Sequence, residues 1–130
     1  MNIKTRKYFI IFVALSGVVI NLVYGIELLH EFYSSSEDTI KEILISAIVL
    51  EFAWGLLLIW MILNPFKRKD IMLLSIVPIL MGNILHNINL VLFQQGNIMD
   101  GIVNFLFGFL YAVLYLFAYK VGKVDLEKKF

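Results

Sequence analysis

The sequence contains no cysteine, and only 16% of its 130 residues are charged. The absence of cysteine excludes disulfides, thiol chemistry, Cys-ligated zinc or iron–sulfur sites and covalent attachment of c-type haem. The net charge of +1 gives no indication of a nucleic-acid partner. The chain also lacks a catalytic serine arrangement, a glycine-rich phosphate loop and a nucleotide-binding motif, so the sequence predicts no particular enzyme.

Hydrophobic residues are abundant instead, at 61% of the chain. Soluble domains contain roughly 45–50% apolar residues. A chain of this length cannot hide so much apolar surface from water, because small folds leave a large share of their surface exposed. The composition therefore predicts a single compact membrane domain covering residues 1–130.

Four apolar runs are separated by short polar segments, at about residues 8–29, 43–63, 71–93 and 102–119. A helix needs about 20 residues to cross the hydrocarbon core, so each run predicts one transmembrane helix. The first run is longer than the apolar region of a signal peptide (about 7–15 residues) and lacks an evident cleavage site, which favours a retained helix. The second ends before Pro65, and Pro78 predicts a kink in the third.

The basic residues are distributed unevenly around these four runs. Ten of the eleven fall in the N-terminal segment, the second connection and the C-terminal tail, and Lys41 alone lies in the first or third connection. The positive-inside rule then predicts that both termini are cytoplasmic. Because short connections make consecutive helices antiparallel neighbours, we expect an all-α, up-down four-helix bundle in the plasma membrane.

Each predicted helix carries a stripe of small and polar residues at helical spacing. Such residues line helix–helix contacts in membranes and form hydrogen bonds across them. We therefore expect the four stripes to face one another around an outward-opening polar cavity, floored by Trp54, Tyr111 and Tyr115. The candidate ligand-binding residues on these stripes are Glu51, His86, Asn83, Asn87, Trp54, Asn21, Tyr24, Tyr111 and Tyr115.

Glu51 and His86 are the ionisable residues placed deepest in the predicted spans. Ionisable groups inside a membrane are costly and usually mark a functional site. Glu51 is therefore predicted to anchor a ligand or transfer a proton, with His86 as its counter-ion. The alternative is a structural hydrogen bond from Glu51 to Asn83 or His86 that locks the bundle together.

A metal or haem site is a further alternative. Glu27 and His30 have the Glu-x-x-His spacing found in di-iron helix bundles. The matching positions on the third helix are Asn83 and His86, so a carboxylate ligand is missing there. A bis-histidine haem between His30 and His86 would require both to lie near one face of the membrane. Neither arrangement is favoured, and no cofactor is predicted.

Two short patterns resemble small DoxX-like membrane proteins. Glu51-Phe-Ala-Trp-Gly-Leu is similar to the Glu-x-x-x-Gly-Leu start of a span in that family, and Gly82-Asn-Ile-Leu-His-Asn resembles a later segment. The resemblance covers roughly residues 43–119 and implies a four-span fold. Members of the family are implicated in membrane redox complexes, quinone-linked oxidation and receptor assembly. Where the family has an arginine in the third span, the nearest residue here is His86.

These observations favour a non-enzymatic membrane protein that binds a lipophilic or amphiphilic molecule, such as a quinone, lipid or xenobiotic. Membrane lipid and that small molecule are the predicted partners, with a membrane-protein partner or a homodimer as further alternatives. An accessory subunit of a membrane complex and a proton-coupled small exporter remain open. A membrane enzyme with Glu51 and His86 as an acid–base pair is also open.

Overall fold

A computed structural model shows four α-helices: α1 (Ile3–Ser34), α2 (Asp38–Ile62), α3 (Asp70–Leu92) and α4 (Ile98–Glu127). The structure describes the backbone of residues 1–92 and 97–127 and the side chains of residues 1–88 and 97–123. All four helices are long and apolar enough to cross a membrane. The prediction of an all-helical chain with four helices that could each cross a membrane is thereby confirmed.

Three helices, α1, α2 and α4, extend beyond the apolar runs that predict them. Asn2 caps α1, since its side-chain oxygen accepts a hydrogen bond from the backbone N–H of Thr5 at 2.9 Å. The helix continues to Ser34, which places His30 inside α1. The connection to α2 is therefore shorter than the polar stretch in the sequence. Capping and backbone hydrogen bonds set these ends, and hydropathy does not report either of them.

Neighbouring helices are antiparallel, and small residues bring them close together. Along α1, Gly17 lies against Leu58 of α2, and Gly25 lies against the Phe52 ring. Residues later in α1 thus contact residues earlier in α2, which makes the two helices antiparallel. Asn83 of α3 packs on Gly108 of α4 in the same antiparallel sense. The chain is an up-down arrangement in which glycine lets the helix backbones approach, as in other membrane helix pairs.

The hydrophobic core lies in one half of the bundle, toward the end where α1 begins and α4 ends. We call the opposite end, which holds the α1–α2 connection, the far end. Core residues come from the first half of α1 and α3 and the second half of α2 and α4. They are Ile10, Val13, Ala14, Val18, Leu58, Met61, Met72, Tyr115, Ala118 and Val121.

The helices are paired unequally. α1 packs closely on α2, α3 packs closely on α4, α1 also contacts α4, and the contact between α2 and α3 is sparse. Trp54 Nε1 of α2 donates a hydrogen bond to Ser75 Oγ of α3 at 2.9 Å and bridges that gap. The molecule is therefore two helical hairpins joined mainly through α1 and α4, and its many exposed apolar side chains suit contact with lipid.

The turn between the hairpins is held by basic side chains. Arg68 stacks its guanidinium on the Trp60 ring, 4.0 Å from the centroid, and donates a hydrogen bond to the Trp60 carbonyl at 2.5 Å. That carbonyl belongs to the last turn of α2, where helix carbonyls lack intrahelical partners. Lys69 is buried against Gly122 of α4. These contacts fasten the turn to both hairpins.

Candidate functional site

The predicted cavity residues fall into separate groups, and one group lines a groove on the α1–α2 hairpin. The groove has a volume of about 170 Å³ and lies where α1 and α2 pack together. Glu51 of α2 is its ionisable residue. The groove is lined by Val18, Asn21, Leu22, Glu51, Phe52, Gly55, Leu56 and Ile59.

Glu51 has no protein partner in the groove. Its carboxyl group is partly exposed and forms no hydrogen bond or ion pair with any residue whose side chain the structure describes. Asn21, by contrast, donates a hydrogen bond from Nδ2 to the Gly17 carbonyl at 2.7 Å. A carboxyl group at this depth in apolar surroundings must gain a partner from outside the described chain or remain unsatisfied.

A second group is a chain of hydroxyls between α1 and α4. Ser16 Oγ donates to the Val13 carbonyl at 2.6 Å, and its distance to Tyr111 Oη is 3.1 Å. Tyr111 Oη lies 3.3 Å from Tyr115 Oη. Because the single hydroxyl proton of Ser16 goes to Val13, Tyr111 donates to Ser16 and Tyr115 donates to Tyr111. All three hydroxyl protons are donated to acceptors within the protein. This series of hydroxyl groups therefore joins the hairpins and has no donor left for a ligand.

A third group joins α3 to α4. Asn83 Nδ2 donates to the Phe105 carbonyl at 3.0 Å, and Asn87 Nδ2 donates to the Asn83 carbonyl and to its Oδ1 at 2.7 and 2.9 Å. Asn87 is 8% exposed, and its Oδ1 has no hydrogen-bond partner within the described part of the chain. These asparagines hold the second hairpin together, a role typical of polar residues in membrane helices.

The remaining candidates lie apart from the groove. His86 is exposed on α3 and forms no bond with Glu51 in the described structure. Tyr24 is 54% exposed on α1. Trp54 points to Ser75 rather than to the groove. A single cavity that gathers all nine candidates therefore stays a prediction, and the groove contains two of them, Glu51 and Asn21.

Several residues of these groups were absent from the sequence-based candidates. Ser16 and Ser75 each bond to a backbone carbonyl of the preceding turn and also to an aromatic side chain on another helix. The groove is also lined by the apolar side chains of Phe52, Leu22 and Leu56. Serine at helical spacing opposite an aromatic residue is a signal that sequence analysis can use. The apolar wall residues carry no such signal, because they resemble lipid-facing residues.

Among residues 1–88 and 97–123, no three histidine or acidic side chains lie close enough together to hold a metal ion. Glu27 and His30 both lie exposed on α1, and His86 lies on α3. A metal or haem at these residues has no further support from the geometry.

Comparison of the chain with protein-family models, with curated proteins and with solved structures finds no match. The resemblance to DoxX-like proteins accordingly stays a prediction. The fold itself defines a chain of four helices, each long and apolar enough to cross a membrane, as in a multi-pass membrane protein.

Proposed function

We propose that this protein binds a lipophilic or amphiphilic small molecule from the membrane in the α1–α2 groove, with Glu51 as its polar anchor. The single observation that carries the proposal is an almost entirely apolar groove lined by Glu51, whose carboxyl has no hydrogen-bond or ion-pair partner among the residues with described side chains. Ligand sites in proteins are mostly apolar concavities with a few polar groups that orient the ligand. The Glu51 carboxyl would supply such a group, and it has no competing partner among the described side chains.

Access from the lipid supports the same proposal. Leu56 is 65% exposed and Leu22 is 45% exposed, and both line the groove. A molecule dissolved in the bilayer can therefore reach Glu51 laterally, without crossing an aqueous channel. Asn21, which is half-buried, lines the same groove as Glu51.

Thermal stability in detergent tests the proposal. We expect at least one class in a panel of quinones, phospholipids and hydrophobic amines to raise the melting temperature of the wild-type protein. Leu56→Trp is expected to weaken that stabilisation because indole fills the groove, and Leu57→Trp, a matched change at an exposed neighbour outside the groove lining, is the control. Binding as the function fails if no compound stabilises the wild type.

We also propose that the protein lies in the plasma membrane with both termini in the cytoplasm. The distribution of the basic residues supports this orientation. The chain has no native cysteine, so an introduced one is the sole thiol. Ser36 and Lys67 are exposed and lie in the connections at opposite ends of the bundle.

Cysteine labelling checks this orientation. In intact cells we expect a membrane-impermeant maleimide to label Ser36→Cys and to label Lys67→Cys only after lysis. The reverse pattern would place the termini outside. Labelling of both sites after lysis serves as the control for reactivity.

A further inference from the structure

The two ends of the bundle differ in charge. Among the described side chains, the end where α1 begins and α4 ends carries eight basic residues, in segments 4–7, 67–69 and 120–123, and one acidic residue, Asp70. The formal charge of these side chains is therefore +7. The far end carries six acidic side chains and one basic side chain, Lys41, within the same described part of the chain. The first end is thus the one suited to an anionic partner.

Lys69 is the buried residue among these eight basic side chains. It is 9% exposed, whereas the others are half-buried or exposed. A Cβ atom added at Gly122 of α4 would lie 3.2 Å from Lys69 Cδ and 3.3 Å from Ile10 Cδ1 of α1. The absence of a side chain at Gly122 therefore makes room for the lysine stem between the helices. Because packing already holds the stem, less side-chain entropy is lost when the ammonium binds a ligand.

The Lys69 ammonium has no counter-ion in the described structure. Its Nζ lies 3.5 Å from the Phe66 carbonyl oxygen, at the long limit for a hydrogen bond, and it forms no ion pair with a described side chain. An ammonium has three donors, so at least two lack an acceptor among the described residues. The contact with Phe66 places the ammonium at the connection between α2 and α3, just before the apolar run that begins at Ile71. Lysines at the ends of membrane helices present their charge at this level, where lipid headgroups lie.

From these features we propose that Lys69 binds the phosphate group of an anionic phospholipid at this end of the bundle. The phosphate oxygens accept hydrogen bonds from the ammonium, and the surrounding excess of basic side chains favours an anionic lipid over a zwitterionic one. Exposed apolar side chains near this end, such as Tyr8 of α1 and Phe117 of α4, are available to the acyl chains. Lys69 does not line the α1–α2 groove, so this lipid site is independent of the proposed groove ligand.

Competition between two lipids tests the proposal. Dioleoylphosphatidylglycerol and dioleoylphosphatidylcholine share their acyl chains and differ in the net charge of the headgroup. The full-length protein is placed in detergent micelles that contain equal amounts of both, and native mass spectrometry measures how much of each lipid stays bound. We expect wild type to retain the phosphatidylglycerol at least about fivefold more than the phosphatidylcholine, the factor expected for one basic residue acting on an anionic lipid.

Two lysine variants locate the preference. Lys69→Met and Lys67→Met remove the same charge from the same connection, but Lys67 is exposed. Lys69→Met is expected to lower the preference about fivefold, and Lys67→Met, the matched control, is expected to change it little. Gly122→Ala keeps every charge and displaces the lysine stem, which lies within 3.3 Å of the added Cβ. It is expected to reduce the preference partially and gives a second route if Lys69→Met does not fold.

Three results would overturn the proposal. Equal retention of the two lipids by wild type would remove the anionic ligand. Equal losses in Lys69→Met and Lys67→Met would show that the charge of the whole bundle end attracts the lipid, with no site at Lys69. Inorganic phosphate added to the micelles is expected to leave the phosphatidylglycerol bound. If it displaces that lipid fully from wild type, Lys69 belongs to a soluble phosphate site instead.

Discussion

Gly17→Ala is expected to destabilise the protein by about 1–3 kcal/mol, the usual cost of overpacking a core. A Cβ atom at this position would collide with the Tyr115 hydroxyl and lie 2.8 Å from Leu58 Cδ1. Tyr115 is 1% exposed, so its ring has little room to move away. The collision also displaces the hydroxyl from Tyr111, which loses a hydrogen bond between residues that join the hairpins. The free energy of unfolding in mixed micelles, followed by circular dichroism, measures the effect.

A compensating substitution gives this prediction a sharp test. Tyr115→Phe removes the hydroxyl that the new Cβ meets, and alone it costs about 1 kcal/mol for the lost hydrogen bond. We therefore expect Gly17→Ala/Tyr115→Phe to be more stable than the sum of the two single changes implies. Additive losses would contradict the close approach of these residues. Gly82→Ala is the control, because a Cβ there meets nothing within 4 Å.

Gly108→Ala is expected to weaken the second hairpin by a similar amount, about 1–3 kcal/mol. The added Cβ would collide with the Asn83 side chain. Asn83 would then leave the Phe105 carbonyl and would also lose its side-chain hydrogen bond from Asn87. Since these bonds lie at the contact between α3 and α4, we expect faster proteolysis of that hairpin along with the lower unfolding free energy.

Removing the opposing side chain tests the cause of this loss. Asn83→Ala removes the hydrogen bond to the Phe105 carbonyl and the Oδ1 that accepts from Asn87, and only the Asn87 hydrogen bond to the backbone carbonyl of residue 83 remains. Its own cost is therefore expected to be about 1 kcal/mol. In the Asn83→Ala background, Gly108→Ala should add little further loss. If Gly108→Ala is equally harmful in both backgrounds, its effect comes from something other than Asn83.

The number and approximate position of the helices could be predicted from the sequence. Each apolar run is a local property of the chain, and a run of about 20 residues has few other ways to avoid water. The small and polar stripes were also predicted, and Gly17, Gly25 and Gly108 do lie at close helix contacts. The ends of α1 could not be predicted from hydropathy, because capping by Asn2 and hydrogen bonds near Ser35 extend it through polar residues.

Only the tertiary structure shows which stripe of small and polar residues packs against which adjacent helix. The periodicity of a helix tells which residues share a face, and a polar stripe is compatible with either adjacent helix. Glu51 and His86 were predicted to pair, yet α2 and α3 barely touch, and Glu51 instead lines the same groove as Asn21 of α1. Asn83 likewise bonds to α4. These pairings depend on how closely two helices approach, which Gly17 permits for α1 and Gly108 permits for α4.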